Sequence, residues 1–300
     1  MYATSMPSQK SPSLPMRNEF PPATYAVRSE TPLSEAEMRR AAPSAFAQVK
    51  HRSRSARYTH VPTIEVLREL GREGFEPFMV VQNRSRTAGK TEFTKHLIRL
   101  RHTDHSASRD EVGEIILINS HDGASPYNML AGVFRFACRN GLVVGSANHG
   151  VRIVHKGNIL HDVIESAFRV LHGFDAVDET IAGMKATTLD DDEQRAFACA
   201  AMDVRYGERT PWDPPAPATP EMLLEPRRAE DADPSLWLTF QRVQENLVRG
   251  GQSGRRASGR RMQTRSVASI DRSVELNRRL WALAEATRTQ KSRSPTRGDV

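Results

Sequence analysis

The sequence predicts an α+β fold in which a mainly antiparallel sheet in the middle third, between about residues 75 and 145, packs with C-terminal helices. Three patterns predict it. Short β-branched runs crowd the middle third, apolar residues recur at helical spacing from Asn158 onward, and the first 26 or so residues, rich in Ser and Pro, follow neither period. The last feature predicts a disordered N-terminal tail, because a segment with little apolar surface to bury cannot offset the entropy of ordering.

A short helical signal follows at Leu33 to Ala42, and then Lys50, Arg52, Arg54 and Arg57 occur with no acid among them. Residues 1–58 therefore read as a disordered basic arm, 59–290 as a single α+β domain and 291–300 as a disordered tail. Within the domain, Ile64, Leu67 and Leu70 place one apolar face on a helix over Thr63 to Glu73, with Gly74 as its stop. The run Phe78-Met79-Val80-Val81, after Pro77, reads as a buried strand. Ile98 and Leu100 alternate with Arg99 and Arg101, which predicts a half-exposed strand with one core face and one cationic face.

Glu114 to Asn119 reads as another buried strand, and Ser120-His121-Asp122-Gly123 as the turn that ends it. Tyr127 to Arg139 fits two periods: Phe134, Phe136 and Cys138 alternate as in a strand, whereas Leu130, Phe134, Ala137 and Cys138 share a helical face. The strand reading is adopted. Leu160, Ile164, Ala167, Phe168 and Leu171 then form a helical face that Gly173 terminates. Asp191 to Tyr206 begins with acids that suit a helix N-terminus and carries Ala196, Phe197, Ala200 and Val204 on one side. Pro211, Pro214, Pro215 and Pro217 require an extended loop, and Thr219-Pro220 has the form of an N-cap followed by a first-turn proline. Helices over Ser235 to Arg249 and Ser273 to Thr287 complete the reading, with a glycine- and arginine-rich loop between them.

Composition narrows the function. The 300 residues carry a formal charge of +7, which favours phosphates or an acidic partner. The two cysteines, Cys138 and Cys199, have no C-x-x-C spacing, so neither a zinc module nor a disulfide scaffold is indicated, and a reducing cytoplasm fits. Apolar stretches fall far short of the roughly 18 to 20 residues that cross a bilayer, and the N-terminus lacks a secretory apolar core.

Several chemical motifs fail on geometry. Gly89-Lys90-Thr91 after a strand suggests a phosphate loop, but Arg84 stands where the motif needs glycine, and strand follows where a helix is required. His96, His102, His105 and His121 could suggest a metal site, yet on a strand His96 and His102 lie about 20 Å apart. Ser120-His121-Asp122 are adjacent, and neighbours in a turn cannot converge as a catalytic relay does; an Asx-type turn with left-handed Gly123 is the expectation. Cys138 reads as a packing cysteine. No catalytic residue, metal or cofactor is assigned.

The cationic segments persist. Arg84, Arg86, Lys90, Lys95, Arg99 and Arg101 form one group, and Arg249, Arg255, Arg256, Arg260, Arg261 and Arg265 a second with no acid between its first and last members. Guanidinium groups bind phosphate bidentately, and the intervening glycines and serines let a loop follow a backbone. Aromatic residues are only 6% of the chain, too few for an extended base-stacking platform.

Four segments, Phe93 to Arg101, Ile118 to Gly123, Phe134 to Val143 and Gln244-Glu245-Asn246-Leu247, occur together in an order that resembles domain-of-unknown-function family nine-three-two. The resemblance runs from about Thr59 to Ala286. It implies the context of plasmid- and prophage-encoded proteins among mobile-element functions, and it brings no catalytic residues. The combined expectation is a cytoplasmic, non-catalytic nucleic-acid-binding accessory protein, with DNA favoured over RNA. The alternatives are a protein-interaction factor acting on host DNA-processing or defence machinery through an acidic partner, and then a metal-dependent phosphodiesterase.

Overall fold

A computed structural model describes residues 24–85, 87, 89–104, 110–137, 140–145, 150–210, 212–214, 216–255 and 260–293. Its centre is a seven-stranded antiparallel sheet of β1 (Thr24–Arg28), β2 (Phe75–Asn83), β3 (His96–His102), β4 (Glu111–Asn119), β5 (Tyr127–Arg135), β6 (Asn140–Val143) and β7 (Val151–Ile153). Strands β1 to β5 pair in sequence order, and β6 and β7 both pair with β5, β6 along Gly132–Arg135 and β7 along Tyr127–Met129. All nine residues of β4 are buried, so its Ile115–Ile118 run is apolar without alternation while Glu111, Glu114 and Asn119 are buried with it. Ile115 and Leu117 enter a large core on one face, and Ile116 and Ile118 a smaller one on the other.

Helices cover the large-core face. They are α1 (Glu35–Ala41), α2 (Thr63–Arg72), α3 (Ile159–Leu171), α4 (Phe174–Ala186), α5 (Asp191–Tyr206), α6 (Pro220–Leu224), α7 (Leu236–Arg249) and α8 (Ile270–Arg293). The start of α8 crosses to the smaller core, where Ile270 joins Met79, Val81 and Leu97. Between α7 and α8 stands a separate hairpin of β8 (Ser253–Arg255) and β9 (Arg261–Gln263). The middle-third antiparallel sheet and the C-terminal helices follow the sequence-based expectation.

Three differences have identifiable causes. Residues 24–58, expected in a disordered arm, fold onto the body: β1 extends the sheet, Ser34 and Glu37 form a capping box for α1, and Leu33, Met38, Ala42, Ala45 and Phe46 enter the large core. A few apolar residues suffice there because each is buried almost completely, a density that composition does not reveal. The tail before residue 24 lies outside the described residues. Strand β2 begins at Phe75 and carries Pro77 within it, tolerated by a register shift between Pro77 and Met79 where the ladder loses a donor. Helix α4 is absent from the sequence reading because Gly173 reads as an end, whereas the chain turns there and restarts, burying Phe174, Val177, Ile181 and Met184.

Candidate nucleic-acid interface and a buried histidine cluster

The first cationic group is largely consumed within the fold. Arg99 and Arg101 share the face of β3 opposite Ile98 and Leu100, as alternation requires, but that face is covered. Arg99 Nη1 lies 3.0 Å from Glu114 Oε2, and Arg101 donates to Glu114 Oε1 from Nε and Nη2 at 3.1 and 2.9 Å. Arg28 of β1 reaches the same carboxylate at 3.4 Å. Arg99 also donates to the carbonyls of Leu142 and Gly141, at 3.1 and 2.9 Å. A Cβ at Gly141 would sit 2.6 Å from Arg99 Cζ, so a side chain there would have to displace the guanidinium. Arg101 stacks on Phe78 with its Cζ 4.2 Å from the ring centre, and Arg28 on Phe134 at 4.0 Å. Burial pushes the Glu114 carboxyl up, but Arg28, Arg99 and Arg101 outweigh it and hold it below the ordinary value.

The expectation of an exposed cationic strand face is therefore corrected for Arg99 and Arg101: they neutralise a carboxylate from the adjacent strand. Lys95 pairs with Asp271 of α8 at 2.6 Å, and Lys90 with Asp122 at 3.4 Å. Arg84 is exposed in the loop after β2, and Arg86 lies outside the described residues. The loop passes through a single 3-10 turn at Thr91–Phe93 straight into β3, so no α-helix follows the glycine-lysine pair.

The second group ends differently. Arg249, at the end of α7, pairs with Glu245 at 2.7 Å. Arg255 contributes backbone to β8, opposite Arg261, and Arg256 lies outside the described residues. Arg260, Arg261 and Arg265 are exposed, and among the described residues none of the three makes an ion pair.

This hairpin is rooted firmly. Gly250 takes φ +65°, and a Cβ there would meet the Thr264 carbonyl at 2.7 Å, so the exit from α7 requires glycine. Gly251 and Thr264 then donate to the carbonyls of Thr264 and Gln252, both at 2.9 Å. The Gln244-Glu245-Asn246 segment braces the root. Asn246 Nδ2 donates to the carbonyls of Leu223 and Glu225 at 2.9 and 3.0 Å, while its Oδ1 accepts from Arg227, which also donates to the Gly250 carbonyl at 2.7 Å. Glu245 binds Arg228 as well as Arg249, and Gln244 donates to Asn277 of α8 at 2.7 Å.

A second feature lies at one end of the sheet, where His60, His96, His121 and His155 gather around Thr63 at the start of α2. Thr63 Oγ1 lies 2.9 Å from His96 Nε2 and 3.3 Å from His121 Nε2, and accepts from Asn119 Nδ2 at 3.0 Å. Ser44 Oγ donates to Gln82, so His96 Nδ1, 2.9 Å away, acts as donor to Ser44 and its Nε2 accepts from Thr63. His60 Nε2 donates to the Ala47 carbonyl and His155 Nε2 to Asn119 Oδ1, at 3.0 and 2.9 Å. The Nδ1 atoms of His60, His121 and His155 are buried acceptors without a protein partner. Burial holds His96 and His155 down to about 4, and burial with the neighbouring imidazoles pushes His121 down to about 2, so all three are neutral near pH 7.

Of the histidines that the sequence singles out, His96 and His121 come together with ring centres 5.7 Å apart. His102 packs on Phe75 at the far end of β3, and His105 lies outside the described residues. His60 and His155 escape sequence reasoning because they flank α2 and β7, and no local pattern links them. Among the described residues no group of three or more His, Cys, Asp or Glu side chains is arranged to hold a metal ion. Ser120 to Gly123 forms the expected turn: Asp122 Oδ1 accepts from the Ala124 amide at 2.9 Å, and Gly123 has φ +81°. Cys138 lies outside the described residues, and Cys199 is exposed.

Two of the four sequence segments that suggest a family thus meet at the histidine cluster, and a third supports the hairpin root. The family model described as "Domain of unknown function (DUF932)" matches residues 50–281. The chain belongs to the DUF932 family. Among similar proteins, UPF0380 protein YafZ of Escherichia coli (strain K12) is 47% identical over 268 residues, covering 89% of this chain and 96% of that protein. UPF0380 protein YfjQ of the same organism is 46% identical over 268 residues with the same coverage. No solved structure matches this DUF932 chain. No described helix is long and apolar enough to cross a membrane.

Proposed function

We propose that this DUF932 protein is a non-catalytic nucleic-acid-binding protein that engages phosphates through the β8–β9 hairpin. The observation that supports the reading is the exposure of Arg260, Arg261 and Arg265 on a hairpin whose root is fixed by Gly250, Arg227 and Asn246, with no ion pair to any of the three among the described residues. Unpaired guanidinium groups retain their attraction for phosphate, whereas Arg99 and Arg101 already hold a carboxylate. Presentation on a rooted hairpin lowers the ordering cost of binding relative to a free arginine-rich tail. The accessory role among plasmid, prophage or other mobile-element functions rests on the family resemblance, and DNA as the polyanion and the cytoplasm as the compartment go with that role.

The test is a titration of labelled duplex and single-stranded oligonucleotides at several salt concentrations. Neutralising three to five phosphates gives a log-log slope of roughly −3 to −5 on duplex. Lack of binding to either form at about 50 mM salt, where phosphate contacts are strongest, contradicts the reading and leaves the exposed arginines to an acidic protein.

A further inference from the structure

Trp212 is 93% exposed, the most exposed large apolar side chain among the described residues, while Trp237 and Trp281 are each 1% exposed. Its exposure is built rather than accidental. The flanking turn is closed by Asp213, whose Oδ2 accepts from the Thr210 amide and hydroxyl at 2.7 and 2.9 Å, and by the Asp213 amide, which donates to the Thr210 carbonyl at 3.1 Å. Arg209 donates to the Pro214 carbonyl across the same turn. A tryptophan held outward on a braced turn leaves its apolar faces in water, a cost that contact with a flat apolar group would remove.

The turn leads directly to the hairpin. Five residues beyond Trp212, Pro217 packs on β8 so closely that a Cβ at Gly254 would overlap its carbonyl oxygen. Trp212 is therefore within about 18 Å of the hairpin by chain length alone. Where the segment after the turn packs on the hairpin lies an open cleft of about 750 Å³ lined by Pro217, Ala218, Met222, Gly254, Met262 and Arg261. Its floor is largely apolar and its rim carries one of the exposed arginines. The hairpin and the chain leading to it thus carry a stacking face, an apolar recess and cations within the span of a few nucleotides.

We propose that the ligand of this surface is a single-stranded nucleic acid, its phosphates on Arg260, Arg261 and Arg265 and an unpaired base stacked on Trp212. The inference rests on the hairpin reading above and sharpens it. A duplex keeps its base faces inside the stack and can offer Trp212 none, whereas every base of a single strand has a free face that an aromatic ring can cover. The recess beside Arg261 would take a second base without any specific hydrogen bond, so sequence preference is expected to be weak.

The chain has three tryptophans and two are buried, so contact quenching of intrinsic fluorescence reports on Trp212. The experiment titrates the full chain with an oligothymidylate of about 15 nucleotides, and separately with a duplex of similar length, within the site sizes known for such surfaces. The expected result is quenching by the oligothymidylate and little by the duplex. Trp212→Ala should remove the quench and weaken oligothymidylate binding roughly 5- to 150-fold, measured by anisotropy of a labelled strand, with the salt slope unchanged and duplex binding unaffected. Trp212→Phe should recover part of the loss. Binding of both nucleic acids with no quench and no effect of Trp212→Ala overturns the inference and leaves the hairpin reading standing. Binding of neither at low salt overturns both.

Discussion

The arginines of the central sheet and those of the β8–β9 hairpin come from segments that look alike in sequence, and they end in opposite environments. On the sheet, Arg28, Arg99 and Arg101 converge from two strands on buried Glu114 and are covered by Phe78 and Phe134. On the hairpin, Arg260, Arg261 and Arg265 stand in solvent. A run of cations is thus a surface only when no strand neighbour brings a carboxylate to it, and strand pairing is not a local property. The first set of arginines serves stability, the second is the one proposed to bind, and substitutions can separate them.

The largest effect is expected at Glu114. Glu114→Gln leaves three guanidinium groups without their common carboxylate in a buried site, which should destabilise the fold by about 3–5 kcal/mol in chemical denaturation. A loss under 1 kcal/mol would mean that the sheet arginines are solvated after all. Next comes acid. The unfolded chain protonates its histidines near pH 6.5, and the folded His96 and His155 only near 4, so the unfolded state takes up protons first. Stability is complete above about pH 6.5 and falls as pH drops towards 4, by about 3 kcal/mol for fully buried His96 alone. Denaturant midpoints measured across that range check it, and His96→Asn should make the decline shallower. A flat profile would contradict the buried, neutral cluster.

A smaller effect is expected where the two regions are joined. Asn246→Ala removes the donor to the Leu223 and Glu225 carbonyls and the acceptor for Arg227, costing about 1–3 kcal/mol in thermal unfolding. It should also loosen the hairpin root, visible as faster hydrogen exchange at Gly251 and Thr264. The smallest effect on stability belongs to Arg260→Ala, within about 0.5 kcal/mol of the parent, because an exposed arginine with no ion pair has little in the fold to lose.

How much of this is readable without the fold follows from the range of each interaction. Strand β4 is legible as an apolar run, α7 from its Ser235 cap and terminal Gly250, and the Ser120 to Gly123 turn from the special backbone needs of Asp and Gly, because each signal sits within a few residues. Helix α4 is not, since Gly173 serves equally as an end and as a joint. The capture of Arg99 by Glu114 depends on the pairing of β3 with β4. The histidine cluster depends on four separate segments meeting around Thr63, so His60 and His155 carry no local sign of it. In the hairpin, by contrast, the segment from Arg260 to Arg265 contains no acid and, among the described residues, no partner strand brings one, so there the local charge pattern survives folding.

The division of labour is tested most directly by the salt dependence of oligonucleotide affinity in a variant carrying Arg260→Ala, Arg261→Ala and Arg265→Ala. The expected log-log slope is shallower by about 2 to 3 than that of the parent, with an unchanged unfolding midpoint. An unchanged slope, with affinity retained, would contradict it.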